Sequence, residues 1–452
     1  MKKVLALLMS LCMVLALVPA CAEGENDAKG VWNIIEDAYI YAFPLVMTDA
    51  TKIVATNTVK AENAHAPVNQ LNHSKNLVKA GFKGVVTPNV DTVYTQAWLD
   101  LSEEPMIYVV PETDRFFKVQ LLDAWTNTPA VLDQPGTYAI TLPAWQGELP
   151  EGVTRVDIPT ATAWSIARIV LSGEEDLPNV YAIQQEMQLM PLSAYVSGGE
   201  YTAPEGSYSQ ENEFVPVNKV LSMSPVDFFN RANELMLNNP PAEADAAVLE
   251  RFAEINVGPG MKFDAAVLGE GAAESWKTML SGLRPQLVAE SANYTKKLGQ
   301  WIYFGAPIGN FGTEYTYRAM VALAGLGANP VEVAIYPKTD TDETGAKLTG
   351  ANAYVMHFDS VPPTLEGGFW SVTAYGSDDF LIDNPIDRYC INDRSDVIYN
   401  EDGSLDIVIS KDQPDTPNWL PVSDGEFHIF MRIYTPDMDA LDSWQPPVIR
   451  AQ

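Results

Sequence analysis

A chain of 452 residues with 59 acidic side chains against 28 basic ones, a formal balance of −31, is too acidic to hold nucleic acid as its main business, since phosphate neutralisation needs clustered Lys and Arg. With 47% hydrophobic and 19% charged residues it is globular along most of its length, and a chain this long divides into roughly two or three domains. Of its 3 cysteines only Cys21 and Cys390 lie beyond residue 20, which excludes a disulfide framework and a Cys-rich metal site.

Lys2 and Lys3, the apolar run VLALLMSLCMVLALV from Val4 to Val18 and then PACAEG have the layout of a secretory signal, so residues 1–20 read as a signal peptide and the mature chain as extracytoplasmic. The apolar run is shorter than the roughly 18 residues of a spanning helix. VPAC resembles the lipobox that places a diacylglycerol on Cys21, although Pro19 departs from it. Val18-Pro19-Ala20 and Ala20-Cys21-Ala22 suit an ordinary signal peptidase, so a secreted protein and one attached to a membrane through Cys21 both stay open. Removing residues 1–20 takes away Lys2 and Lys3 and leaves 26 basic residues against the same 59 acidic ones.

Residues 31–56 place Ile34, Ile35, Ala38, Tyr41, Ala42, Leu45 and Val46 at helical spacing, with Pro44 expected to bend the axis. From Val85 to about Ser172 the texture changes to short runs separated by Pro and Gly turns (MIYVVP, RFFKVQLLDAW, GTYAITLP, TAWSIARIVL), the pattern of an antiparallel sandwich. SPVDFFNRANELMLNNPP then reads as a helix with Ser224 as N-cap, Pro225 at the first helical position, Asp227 in the first turn and a stop at Asn239-Pro240-Pro241. Further helices are expected over 243–255, 272–298 and 313–326. The β texture returns from Val331, with DVIYNEDGSLDIVI expected to form a hairpin around Asp402-Gly403.

The two β regions resemble each other in order. TVYTQAWLDLSEEP aligns with NAYVMHFDSVPPT, DRFFKVQLLDAW with GGFWSVTAYGSD, TYAITLPAWQGELP with LDIVISKDQPDTPNWLP, and TAWSIARIVLSG with EFHIFMRIYTPD. Arg168 and Arg432 fall at matching places. A shared fold follows more safely from this than any function.

AYIYAFPLV, NQLNHSKN, TPNVDTVYTQAWLDL and RFFKVQLLDAW resemble the domain-of-unknown-function family 1254, and GFWSVTAYGSDDFLIDN, DGSLDIVIS, NWLPV and FHIFMRIYTP resemble family 1214. The resemblance implies two jelly-roll-like domains with helices between them and implies no reaction. The expected architecture is α+β, mainly β: a helix and first jelly-roll-like sandwich over 31–220, a helical segment over 221–328 and a second jelly-roll-like sandwich over 329–452.

Chemistry is sparse. His65, His73, His357 and His428 form no H-E-x-x-H and no zinc spacing, so no metal is expected. DTDETGAKLTGA lacks the twelfth-position Glu of a calcium loop, and GAPIGNFG fits neither phosphate-binding fingerprint, so no cofactor is expected either. His357 and His428 sit in strand patterns and read as hydrogen-bonded sheet residues. His73, in NQLNHSKN, stands close before TPNVD, so His73, Asn89, Asp91 and Tyr94 form one constellation. Beside Asp91 the imidazole of His73 would be held in one tautomer and made more basic, as a general base requires; otherwise Asn89 and Asp91 cap turns. Among the tryptophans, Trp125 and Trp419 stand where strands yield to turns and are the ones expected to face a cavity. The first expectation is therefore a protein that binds a small organic or carbohydrate-like ligand in a cleft between the TPNVDTVY end of the first jelly roll and the helical segment, lined by His73, Asn89, Asp91, Tyr94 and Trp125. The alternatives are an extracytoplasmic hydrolase or lyase using His73 with Asp91, and an envelope scaffold.

Overall fold

The computed structural model describes residues 20–84 and 86–452, with side chains from Gly30 onward; the signal layout up to Pro19 lies outside the described residues, and so does the side chain of Cys21, the candidate for lipidation. The first β unit contains β1 (Asn72–His73), β2 (Thr92–Asp100), β3 (Met106–Val110), β4 (Phe117–Asp123), β5 (Ala130–Leu132), β6 (Gly136–Thr141), β7 (Val153–Asp157), β8 (Thr162–Val170) and β9 (Gln188–Pro191). The second contains β10 (Thr295–Leu298), β11 (Trp301–Phe304), β12 (Ala334–Ile335), β13 (Lys338–Thr339), β14 (Tyr354–Phe358), β15 (Thr364–Gly376), β16 (Cys390–Asn392), β17 (Leu405–Ser410), β18 (Trp419–Pro421), β19 (Phe427–Pro436) and β20 (Val448–Ala451).

Each unit is a two-sheet sandwich. In the first, the order β1-β2-β8-β4-β5 faces β7-β6-β3-β9; in the second, β10-β11-β13-β19-β15-β16 faces β18-β17-β14-β20. The repeat read from sequence is a repeat of topology, down to the parallel pairs β6–β7 and β17–β18 within otherwise antiparallel sheets. One of the four alignments shifts by a strand. NAYVMHF forms β14, which pairs with β17 as β3 pairs with β6, so its counterpart is MIYVV rather than TVYTQAW. Alternating apolar strands look alike, and only the pairing tells them apart.

Strand alternation sorts the side chains. Ala163, Ala167 and Ile169 of β8 enter the core of the first sandwich with Val93, Tyr108 and Leu121, while Trp164, Ile166, Arg168 and Val170 stand on the outer face. Ile429, Met431 and Ile433 of β19 likewise point into the second core, which is continuous with that of the helices through Tyr39, Phe228, Trp276 and Tyr317. The first helix, Ala20–Ala55, runs on through Pro44 and is buried along 38–48, because the other helices surround it and Trp125 of the first sandwich packs on Tyr41. Ser224 caps the helix Pro225–Asn238 as expected, its hydroxyl accepting from the Asp227 N–H at 3.1 Å.

Two expectations need correction. The helix expected to reach 298 ends at Ser291, and residues 295–304 form the β10–β11 hairpin, which joins the second sandwich through Ile302 opposite Lys338. Gly299, with φ of +59°, supplies the left-handed turn residue that a helix would not use. DVIYN is not a strand either: β17 already has β14 on one edge and β18 on the other, so Ile398 and Tyr399 are left exposed in a turn-rich loop. Among the described residues no helix is long and apolar enough to cross a membrane.

Candidate functional site

The two sandwiches meet through their outer faces. Phe116 and Val170 of the first pack on Ala334, Phe369 and Tyr434 of the second, with Phe369 and Tyr434 stacked at 4.1 Å. Beside this apolar strip the seam is polar, and TPNVD enters it. Asn89 Oδ1 accepts from the backbone N–H groups of Asp91 (2.6 Å) and Thr92 (3.2 Å), which ties down the turn. Its amide nitrogen donates to the hydroxyls of Thr92 (2.9 Å), Tyr94 (3.1 Å) and Tyr434 (2.8 Å). One side chain thus closes a turn and reaches across to the other domain.

Asp91 has no solvent-exposed side-chain surface. Its carboxylate accepts from Ser371 Oγ at 2.6 Å and from Arg394 Nη2 at 3.3 Å, both belonging to the second sandwich. Arg394 also pairs with Asp393 at 2.5 Å and lies over the Phe369 ring, while its buried Nε has no partner. Cys390 lies beside the same seam, where burial first and the charge of Asp91 second push its thiol up to about 12, so it stays protonated.

The matching arginines prove to be matching parts of this seam. Arg168 donates to Gln120 (2.8 Å), Asn329 (2.9 Å) and the Gly327 carbonyl (3.1 Å), and lies over the Tyr94 ring. Gly327 is needed here: its φ is +85°, and a Cβ would come within 3.1 Å of Ile166 and Trp164. Arg432 donates to Thr373 (3.2 Å), the Thr87 carbonyl (3.0 Å) and Tyr375 (2.7 Å). Burial works against the charge of Arg432, but Tyr375, Tyr434 and Asp91 around it favour the cation and keep it charged, Tyr375 also by accepting its hydrogen bond. Every hydrogen-bond partner of these two buried guanidinium groups is neutral. Tyr336 lies between them, feeling both charges, and burial pushes the phenols of Tyr336 and Tyr434 up, so both keep their protons. Tyr94, Tyr336 and Tyr434 each accept an amide N–H, and none donates to another described protein atom.

The other predicted residues lie elsewhere. His73, on β1, is bonded through Nδ1 to the Thr95 hydroxyl at 2.9 Å and makes no hydrogen bond to Asp91. Far from being made more basic, it is pushed down to about 4, first by burial and then by the charge of Lys75. A folded pKa below the ordinary 6.5 means that between the two values the unfolded chain holds a proton that the folded chain refuses. This contribution is whole above pH 6.5 and is lost as pH falls towards 4. In urea melts from pH 4 to 7, His73→Gln should flatten the rise of stability by on the order of 2 kcal/mol; an unchanged profile refutes the assignment. Trp125 is buried against Tyr41 and Arg318, with Nε1 donating to the Asn239 carbonyl at 3.2 Å. Trp419 is equally buried, bonded to the Ser410 carbonyl at 2.9 Å.

Two surface clefts are described, and none of His73, Asn89, Asp91, Tyr94 and Trp125 lines either. One, of about 260 Å³, lies beside His65 and Tyr208. The other, of about 510 Å³, lies at an end of the second sandwich and includes His428. Among the described residues no group of three or more His, Cys, Asp and Glu is placed to hold a metal ion.

Sequence reasoning reached Asn89, Asp91 and Tyr94 and missed Ser371, Arg394, Tyr336 and Tyr434, which lie about 240 to 350 positions away. The available signal was a charge inside otherwise apolar strands, SIARIV and IFMRIY, whose arginines a bland sandwich would not need.

Residues 68–191 match the family described as "Protein of unknown function (DUF1254)", and residues 333–438 match "Protein of unknown function (DUF1214)". No curated protein matches the chain. Among solved structures, the chain is similar to the VPA0106 protein from Vibrio parahaemolyticus, at 24% identity and a TM-score of 0.68, over 93% of this chain and 99% of that one. It also aligns with an uncharacterized protein from Burkholderia cenocepacia at 12% identity and a TM-score of 0.41, over 95% of each chain.

Proposed function

We propose that this protein, a DUF1254 segment followed by a DUF1214 segment, binds a small oxygen-rich organic anion of the carboxylate class in the seam between its two sandwiches. The observation that carries the reading is the pair of buried arginines, Arg168 and Arg432, bonded only to neutral groups and flanking tyrosine hydroxyls whose protons are unspent. In a chain of net charge −31 this is a local reversal of sign. A buried guanidinium held by neutral acceptors is stable enough to persist, yet it keeps the charge and planar donor geometry that suit a carboxylate. Phenolic donors add hydrogen bonds that a neutral sugar uses about as well, and the arginines favour the anion. The signal layout fits an extracytoplasmic setting for such a protein, secreted or held through Cys21. The hydrolase or lyase alternative draws no support from His73 and Asp91, whose hydrogen-bond partners are separate.

Thermal shift of the chain from residue 21 onward, against mono- and dicarboxylates, hydroxy acids and neutral sugars, tests the proposal. Stabilisation by one or more acids and by none of the sugars is expected. Arg168→Gln should abolish the response, and Tyr434→Phe, which keeps the stacked ring, should weaken it. If no acid stabilises the chain, or if Arg168→Gln responds as the parent does, the reading fails.

A further inference from the structure

The 510 Å³ cleft of the second sandwich adjoins the seam, since His428 stacks on Tyr375, whose hydroxyl accepts from Arg432, but its lining is its own and chemically distinctive. Its volume lies in the range of small-molecule sites, roughly 300–1,000 Å³. Such sites are usually mostly apolar, with a few polar groups. This one is rich in charge of both signs: Lys338, Lys347, Asp340, Asp379, Glu426 and His428 all line it.

The internal pairings separate the spoken-for groups from the free ones. Lys347 and Asp340 are bonded to each other. Asp379 approaches His428 Nε2 at 3.4 Å, and burial lowers the pKa of that imidazole, so it gives Asp379 only a weak partner at neutral pH. Lys338, whose ammonium lies over the Phe430 ring at 5.9 Å, makes no ion pair among the described residues. Glu426 makes no side-chain hydrogen bond among them either. The cleft therefore offers one free ammonium and, facing the same space, one free and one weakly held carboxylate. Ile302, 37% exposed on β11, supplies an apolar stretch of wall.

From this lining we infer that the cleft is a second binding site, for a zwitterionic small molecule of the amino-acid or short-peptide class. Lys338 takes the ligand's carboxylate, Glu426 and Asp379 take its ammonium, and Ile302 meets an apolar side chain. Opposed charges placed this way reward a ligand carrying both signs and penalise one carrying either alone, because the unmatched protein charge is desolvated without compensation. The inference does not rest on the carboxylate reading of the seam: although Lys338 and Arg432 both lie over the Phe430 ring, none of the cleft's lining residues is among Arg168, Arg432, Tyr94, Tyr336 and Tyr434.

Calorimetric titration of the chain from residue 21 onward with L-alanyl-L-leucine, its N-acetyl derivative and its C-terminal amide tests the inference. The dipeptide should bind, and each blocked form, having lost one charge, should bind at least about tenfold more weakly, about 1.4 kcal/mol. Lys338→Gln should remove the discrimination against the amide and keep that against the N-acetyl form; Glu426→Gln should do the reverse. Lys338 and Glu426 stand at the surface, so both variants are expected to fold, and the parent's urea midpoint checks that they do. Equal binding of all three peptides, no binding of the dipeptide, or variants that discriminate as the parent does would each overturn the inference. A neutral disaccharide binding in place of the dipeptide would overturn it as well.

Discussion

Asp91→Ala should lower the stability of the chain by about 3 kcal/mol, a large effect for one exchange at a position that looks in sequence like part of a turn. The carboxylate is wholly shielded from water, and its oxygens are satisfied by the other sandwich, through Ser371 at 2.6 Å and Arg394 at 3.3 Å. Removing it strands a buried hydroxyl and leaves Arg394, whose side chain is only 16% exposed and whose Nε is already unpartnered, with Asp393 alone. Burial raises the pKa of Asp393, so it is a weaker counter-ion than an ordinary surface carboxylate. Asp91→Asn keeps the acceptor for Ser371 and removes only the charge, so it should cost less than Asp91→Ala. Adding Arg394→Met to Asp91→Ala should recover part of the loss, since no cation is then left uncompensated. Calorimetry adds a second readout: with this tie gone, the two sandwiches should begin to melt at separate temperatures. A loss below about 1 kcal/mol with a single unchanged transition would show that the seam is not held here.

How much of this was legible in the sequence follows from how far each signal reaches. Helix caps are local, and Ser224 with Pro225 behaves as its residues require, the Ser224 hydroxyl meeting the N–H three residues on. Strand alternation is local too, so both sandwiches and their repeat were readable. The alignment slipped by one strand at NAYVMHF because alternation names a face and leaves the partner unnamed. DVIYN failed for a related reason: Asp402-Gly403 does make a turn, but both edges of β17 were already taken by strands roughly 50 residues upstream and 10 downstream. The hairpin at 295–304 was hidden by the helix before it, with only Gly299 to mark the change.

The site was legible by half. TPNVD announced that Asn89 and Asp91 needed partners, and the sequence supplied a nearby candidate in His73. Their real partners are Tyr434, Ser371 and Arg394, brought in by the packing of two outer sheet faces, which no local pattern encodes. Arg168 and Arg432 were visible as a coincidence of the repeat, and only the facing of the two sheets turned that coincidence into a shared polar seam around Tyr336.

Trp125→Ala should cost about 4 kcal/mol, and it should do so without touching carboxylate binding at the seam. The expectation from sequence was a tryptophan facing a ligand cavity; the indole instead fills the joint between the first sandwich and the helices. It is 3% exposed, 5.1 Å from the Tyr41 ring and 5.2 Å from the Arg318 guanidinium, with its N–H on the Asn239 carbonyl. Arg318 makes the site costly to disturb. It is 2% exposed, its Nε and Nη2 have no hydrogen-bond partner, and it is surrounded by the rings of Trp125, Tyr41 and Tyr315 at 5.2 to 5.4 Å. An alanine removes one of three aromatic faces from a desolvated cation and opens a void the size of an indole. Trp125→Phe keeps a ring against Arg318 and should lose only about 1 to 2 kcal/mol, chiefly the bond to Asn239. Urea midpoints order the two variants, and the carboxylate thermal shift, measured well below the lowered melting point, should match the parent's. If Trp125→Ala melts like the parent while losing its ligand response, Trp125 lines the binding site and the seam is not where the ligand sits.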